Sequence, residues 1–176
     1  MKAIVVYESL WGNTASVAAA IAEGIGPEAR AMSTAEAVPS VAAEADLIVA
    51  GAPVLGFRLP TDDMRESVLR TEWRAPRPAD LSHPSMRSWL ASVPRAARSD
   101  GTGGVAGGAR FAAFETGLWW SPGAASKSIG EKLAGLGYAE VCKGRRFVVK
   151  GRYGPLRDGE LDKARAWGRE LAQSVR

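Results

Sequence analysis

AIVVYESLWGNT, residues 3–14, is the most informative segment of the chain. Its first five residues are an uninterrupted apolar run, typical of a β-strand buried on both faces of a parallel sheet. Val17, Ile21 and Ile25 then follow at helical spacing and predict a helix that starts at Asn13. The residues between strand and helix form a turn in which backbone N–H groups and the positive end of the helix dipole point outward together. Such a turn is predicted to bind an anion.

Further apolar runs alternate with helical segments along the chain. The other predicted strands are Ala29 to Met32, Leu47 to Ala50, Phe111 to Phe114 and Phe147 to Val149. Helices are predicted within Ala35 to Ala45, from Thr61, over Ser85 to Val93, from Ser121-Pro122 and from Asp158. This alternation predicts an α/β fold with a doubly wound parallel five-stranded sheet, formed by residues 1–176 as a single domain.

Composition and charge narrow the function classes. Of the 176 residues, 46% are hydrophobic and 24% charged, which is typical of a globular protein rather than a disordered or fibrous one. The net charge of +4 favours acidic partners or anionic ligands. Because no aromatic residues interleave with the basic run 143–146, nucleic-acid binding is not expected. The chain has neither a signal-peptide pattern nor an apolar run that spans a bilayer, so we expect a cytoplasmic protein without membrane contact.

The turn after the first strand carries the groups that an anion site needs. Gly12 lets the backbone approach a phosphate, Ser9 and Thr14 offer hydroxyl groups, and Asn13 offers an amide. The turn holds no lysine, and its glycine spacing differs from that of the triphosphate-binding loop and of the dinucleotide fingerprint. A simple strand-to-helix turn with good capping residues is the alternative interpretation.

This turn resembles the phosphate loop of the flavodoxin family, which reads Ser or Thr, any residue, Thr, Gly, Asn, Thr. The corresponding residues here are Ser9, Leu10, Trp11, Gly12, Asn13 and Thr14. The aromatic residue before the glycine is similar to the flavodoxin domains of flavodiiron proteins. Trp11 replaces a residue whose hydroxyl group binds phosphate in the family.

Two later segments resemble the flavin-ring loops of flavodoxins. Residues 51–60 follow a strand, as the first ring loop does in flavodoxins. Val54 and Leu55 occupy positions where many flavodoxins carry Thr and Trp. Stacking on that face of the flavin ring therefore passes to Phe57 or is lost. Residues 114–120 resemble the second ring loop, in which Trp119 or Trp120 would replace the usual Tyr. The alternative interpretation is that both tryptophans are core or interface aromatics. The implied ring-binding residues are Pro53, Val54, Leu55, Gly56, Phe57, Thr116, Gly117, Trp119 and Trp120.

The resemblance implies an FMN-binding electron-transfer flavoprotein. In the family, a glycine carbonyl of the first ring loop accepts a hydrogen bond from flavin N5 after one-electron reduction, and Gly56 is the candidate here. The positive net charge then suggests a redox partner protein with an acidic docking surface. An FMN-dependent NAD(P)H:quinone-type reductase and a cofactor-free interaction domain stay as alternatives.

Three remaining features are given structural rather than catalytic roles. His83 is predicted to be a surface or capping residue, and Cys142 a small buried side chain that forms no internal disulfide. Asp62 and Asp63 suit the first turn of a helix, and no metal-ligating constellation is evident. The glycine-rich stretch 101–108 is predicted to be a mobile loop at the amino ends of the strands, opposite the flavin.

Overall fold

The computed structural model describes residues 1–71, 75–96 and 109–175, in which strands and helices alternate. The strands are β1 (Ala3–Tyr7), β2 (Ala29–Ser33), β3 (Leu47–Pro53), β4 (Arg110–Leu118), β5 (Ala139–Glu140) and β6 (Arg145–Val149). The helices are α1 (Asn13–Ile25), α2 (Pro39–Ala43), α3 (Asp62–Thr71), α4 (Met86–Ser92), α5 (Ala125–Gly135) and α6 (Glu160–Ser174). The predicted loop at 101–108 lies outside the described residues.

All strand pairs are parallel, in the order β2-β1-β3-β4, and both β5 and β6 pair with β4. The predicted doubly wound sheet is therefore confirmed, but its fifth position is divided between two short strands. β5 lies beside Arg110 and Phe111, whereas β6 lies beside the later residues Phe114–Leu118. β3 occupies the other edge of β4, so the two short strands share one edge.

Apolar clusters cover both faces of the sheet. Val5 and Val49 face α1 and α6, whereas Ile4 and Ile48 face α2, α4 and α5. Burial on both faces explains why these strands are continuous apolar runs rather than alternating ones. Trp167 of α6, which the sequence pattern did not single out, is among the largest fully buried side chains.

Two predicted helix starts are wrong. α5 begins at Ala125 and not directly after Ser121, because the Glu115 carboxylate accepts hydrogen bonds from Ser126 N and Oγ, at 2.9 and 3.1 Å. A carboxylate from the preceding strand, 11 positions earlier in the chain, thus accepts hydrogen bonds from the first turn of this helix. Asp158 does not cap α6: Gly159 occupies that position at φ +80°, and Asp158 lies 2.9 Å from Lys150 Nζ instead.

The two predicted helices after the third strand are confirmed. Thr61 Oγ1 accepts a hydrogen bond from Met64 N at 3.2 Å, and α3 begins at Asp62 as expected. Ser85 caps α4 by accepting the Ser88 N–H. The apolar residues predicted to face inward from α4 are all buried, namely Met86, Trp89, Leu90 and Val93. Among the described helices, none is both long enough and apolar enough to cross a membrane.

The topology places a crevice at the carboxyl ends of β1 and β3. From β1 the chain crosses over to β2 on one side, and then passes to β3 on the other. Open α/β sheets bind their ligands at such a switch point. The turn at 9–12, the segment from Val54 and the end of β4 all lie at this edge.

Candidate functional site

The turn after β1 presents an uncapped helix end. Gly12 occupies the N-cap position of α1 at φ +89°, and within the described residues no side chain caps this helix. Gly12 N donates to Ser9 Oγ at 3.0 Å, which closes the turn. A side chain at position 12 would be strained by the positive φ, and its Cβ would lie 2.6 Å from Arg77 Nη2. The first-turn N–H groups of α1 therefore form an anion-binding end.

A cavity of about 410 Å³ lies at this edge of the sheet. Of the predicted site residues, all of which the structure describes, every one except Gly12 and Trp119 lines it. Its remaining lining residues are Leu118, Ser121, Val149 and Arg152, none of which the sequence analysis had chosen. Three predicted segments that are far apart in the chain thus form one cavity, of a size typical for small-molecule ligands.

The floor of the cavity joins α1 to β4. The hydroxyl groups of Thr14 and Thr116 lie 2.8 Å apart, and both side chains are buried. Val54 N donates to Thr116 O at 2.8 Å, which aligns the segment after β3 with the end of β4. Thr116 and Gly117 belong to β4 itself, so the predicted second ring loop begins later than expected, after Leu118.

The segment after β3 forms a tight hairpin turn at one wall of the cavity. Leu55 N donates to Arg58 O at 3.0 Å and Arg58 N donates to Leu55 O at 3.2 Å. The two central residues, Gly56 and Phe57, both have positive φ, at +54° and +65°. This combination is typical of a type I′ turn. Phe57 is the non-glycine residue held in the left-handed region, and its ring is about half exposed at 54%.

Two exposed tryptophans follow β4. Trp120 lines the cavity and is 57% exposed, whereas Trp119 is 66% exposed and is not a lining residue. Their segment is held from behind by Arg146, which donates to Leu118 O at 3.2 Å and also to Ser121 O. Arg146 Nη2 in turn lies 2.7 Å from Glu115 Oε1, so a largely buried ion pair positions this segment. The prediction that Trp119 contacts the ligand has no support from this geometry.

A buried polar cluster lies beneath the turn at 9–12. His83 is buried, contrary to the surface role predicted for it, and its Nε2 lies 3.1 Å from Ser9 O. Arg65 Nη2 donates to His83 O at 2.6 Å, and Arg65 Nε lies 2.9 Å from Glu8 Oε1. Glu8 Oε2 accepts a hydrogen bond from Met86 N at 2.7 Å. This cluster connects the turn to α3 and α4.

Glu8 is a fully buried carboxyl group, and the sequence analysis missed its role. Burial raises its pKa above the ordinary value, although the Met86 N–H and the Arg65 guanidinium act in the opposite direction. The sequence did contain a signal, because a carboxylate directly after a buried apolar strand requires a partner. The partner itself, Arg65, lies in a helix far along the chain and has no local signature.

The segment after β6 covers the side of the cavity next to the turn at 9–12. The rings of Trp11 and Tyr153 meet edge to face, with centroids 5.1 Å apart. Asn13 Nδ2 donates to Tyr153 O at 3.1 Å. Arg152, the neighbour of Tyr153, lines the cavity. These contacts bring the segment that carries Arg152 next to the turn, which contains no basic residue of its own.

The sheet order and its two-sided helical cover define a flavodoxin-like fold. Solved structures with this fold include a flavodoxin from the domain Archaea, with 24% identity, a TM-score of 0.65 and coverage of 99% of each chain. Flavodoxin 1 from Bacillus cereus is 21% identical, with a TM-score of 0.64 and coverage of 98% of each chain. The Flv1 flavodiiron core from Synechocystis is 19% identical, with a TM-score of 0.61 over 98% of this chain and 35% of that one. No protein-family model and no curated protein matches the chain.

The cavity suits a flavin mononucleotide in shape and in polarity. Its uncapped helix end suits a phosphate group, and its two walls, at Leu55–Phe57 and at Trp120, suit the faces of a flat ring. In the described part of the chain, the buried Nε1 of Trp11 has no hydrogen-bond partner. An unpaired buried N–H at this position favours a ligand that accepts a hydrogen bond. In the same part, no group of three or more His, Cys, Asp or Glu side chains is arranged to hold a metal ion.

Proposed function

We propose that the protein binds one FMN in this cavity and transfers electrons to or from a partner protein. The single observation that carries the proposal is the convergence of the turn at 9–14, the hairpin at 55–58 and the end of β4 on one cavity. That cavity lies at the switch point of a flavodoxin-like sheet, where such folds bind their ligands. Bound FMN would supply the redox chemistry, and the chain would supply binding and electrostatics.

Each wall of the cavity has a distinct part in this proposal. The first-turn N–H groups of α1 would bind the phosphate, and the exposed ring of Phe57 would pack against one face of the flavin. Trp120 would contact the flavin from the opposite wall. The hydrogen bond between Thr14 and Thr116 keeps the two sides at a constant spacing.

Gly56 is the residue we assign to control of one-electron chemistry. Its carbonyl would accept a hydrogen bond from flavin N5–H after rotation of the Gly56–Phe57 peptide. That rotation converts a type I′ turn into type II′, in which the first central residue keeps a positive φ and the second does not. Gly56 tolerates this without a Cβ, and Phe57 leaves the left-handed region that it occupies at φ +65°. The chain therefore has a turn that can respond to reduction.

The partner is proposed to be a redox protein with an acidic docking surface. Phe57 and Trp120 at the rim of the cavity, with Trp119 beside them, offer exposed aromatic area for contact. Arg58 and Arg152 are exposed at the same edge, and the net charge of the chain is +4. Positive charge around an apolar centre favours association with an acidic surface, at a rate that falls with ionic strength.

An absorbance spectrum of the purified protein tests the cofactor, because bound flavin is yellow. If the protein is purified without flavin, titration of the apoprotein with FMN replaces the spectrum. Accumulation of one-electron-reduced flavin during a redox titration would support electron transfer, whereas rapid NADPH-dependent quinone reduction would identify a reductase. Failure to bind FMN under either protocol would contradict the proposal and favour an interaction domain.

A further inference from the structure

The polar side chains of the turn at 9–14 are largely engaged with the protein itself. Ser9 Oγ accepts the Gly12 N–H, and Thr14 Oγ1 is hydrogen-bonded to Thr116 Oγ1. Asn13 donates its amide N–H to Tyr153 O. The Ser9 O–H and the second amide N–H of Asn13 are left as donors, so the turn offers a phosphate few side-chain donors of its own and no positive charge.

Trp11 offers one such donor. Its side chain is only 8% exposed and lines the cavity, and its buried Nε1 lacks a partner among the described residues. A buried N–H group that has lost its hydrogen bond to water without gaining another acceptor is energetically unfavourable. Buried N–H groups in proteins rarely lack a partner. An acceptor atom on a ligand would satisfy it.

Arg152 offers a positive charge at the same place. It lines the cavity together with Ser9, Asn13 and Thr14 of the turn, and its neighbour Tyr153 contacts Trp11 and Asn13. Arg77 also approaches the turn and donates to Trp11 O, but it lines a different cavity, next to the turn on the side of β2. Arg152 is therefore the guanidinium group that a phosphate in the flavin cavity would meet.

We propose that Trp11 and Arg152 recognise the phosphate group of FMN, the indole N–H as a hydrogen-bond donor and the guanidinium as a counter-charge. This inference rests on the proposed FMN site. It assigns phosphate contacts to two residues outside the hydroxyl and amide set that the sequence pattern indicates. It also makes the affinity for FMN dependent on ionic strength, because a guanidinium-phosphate attraction is screened by salt.

The test measures dissociation constants of the apoprotein for FMN and for riboflavin, which lacks the phosphate. Arg152→Gln removes the charge, and Arg157→Gln is the matched control, since Arg157 is exposed in the same segment and does not line the cavity. Trp11→Phe removes the N–H and keeps an aromatic ring, and Trp89→Phe is its control, since Trp89 is also buried and does not line the cavity.

We expect Arg152→Gln and Trp11→Phe each to weaken FMN binding about tenfold and to leave riboflavin binding within about twofold, as for loss of a charge-assisted hydrogen bond. Both controls should match the wild type, and Arg152→Gln should flatten the dependence of FMN affinity on salt. Equal weakening for both flavins, or no weakening, would overturn the assignment for that residue. If the wild type binds neither flavin, the proposed function is wrong as well. The wild-type titration alone distinguishes this outcome from a wrong assignment of Trp11 or Arg152.

Discussion

Trp11 and Tyr153 pack edge to face, at an interplanar angle of 73° and a centroid distance of 5.1 Å. One residue follows the first strand of the sheet and the other follows the last. Their contact joins the segments after β1 and β6 at the carboxyl edge of the sheet, and Trp11 lines the cavity there. That cavity and the packing of the buried residues around it lead to four predictions.

The wild-type apoprotein should bind FMN more tightly than riboflavin. The uncapped N-terminus of α1 stabilises a phosphate, and riboflavin has no group to place there. Fluorescence titration with each flavin under the same buffer conditions measures the preference. Equal affinities would contradict the assignment of the phosphate to this turn while leaving the ring site intact.

Gly56→Val should narrow the separation between the two one-electron midpoint potentials of bound FMN. A type II′ turn requires glycine at its first central position, so valine disfavours the rotated turn more than the type I′ turn, at a cost of about 1 kcal/mol or more. Affinity for oxidised FMN should survive, since the turn at 9–14 is unchanged. Redox titration of the two proteins measures the separation.

Gly26→Val is the control for that experiment. Gly26 also has a positive φ, but it lies at the C-terminal end of α1, far from the cavity. The control should lose stability without a change in the separation of the potentials. An unchanged separation in Gly56→Val itself would remove Gly56 from the redox mechanism.

Arg65→Met should destabilise the protein more at alkaline than at acidic pH. Removing one partner of a buried ion pair costs about 3–5 kcal/mol, because Glu8 is then buried without its counter-charge. Since burial already raises the pKa of Glu8 above 4.5, its contribution to stability is fully present below that value and is lost as pH rises through the raised pKa. Removing Arg65 raises the pKa of Glu8 further, because the guanidinium group lowers it, and so increases the stability that is lost at high pH.

Urea denaturation at about pH 5 and about pH 8 measures how the Arg65→Met penalty depends on pH. The double variant Arg65→Met with Glu8→Gln should lose most of the pH dependence, because its carboxyl group is gone. An Arg65→Met penalty that is the same at both values of pH would show that Glu8 does not titrate in this range.

Gly168→Ala should destabilise the fold without affecting flavin affinity. α1 and α6 approach closely at Gly168, where an added Cβ would meet the carbonyl oxygen of Ile21 and lie 3.0 Å from Gly24 Cα. Overpacking of this kind costs about 1–3 kcal/mol. Gly135→Ala is the helical control, because a Cβ there meets nothing within 4 Å, and it should be neutral or stabilising. Thermal unfolding that shows equal effects for both variants would refute the close contact.

The sequence by itself predicted the class of fold and the turns that line the cavity. Apolar runs such as residues 3–7 and 47–50 indicate strands buried on both faces, because burial on both faces removes the alternation of polar residues. The sequence also placed Gly12 and Gly56 in turns, and both residues have a positive φ in the structure. These are local signals, which a single segment of chain carries.

Only the tertiary structure decided what meets those turns. The hydrogen bond between Asn13 and Tyr153 spans 140 positions in the chain, and nothing near either residue indicates the other. The burial of His83 and the start of α5 were mispredicted because each depends on a partner in another element. Ser9 O lies 74 positions before His83, and the Glu115 carboxylate of β4 lies 11 positions before Ser126. Periodicity reports which side of an element is buried, whereas the identity of a partner depends on how the elements pack together.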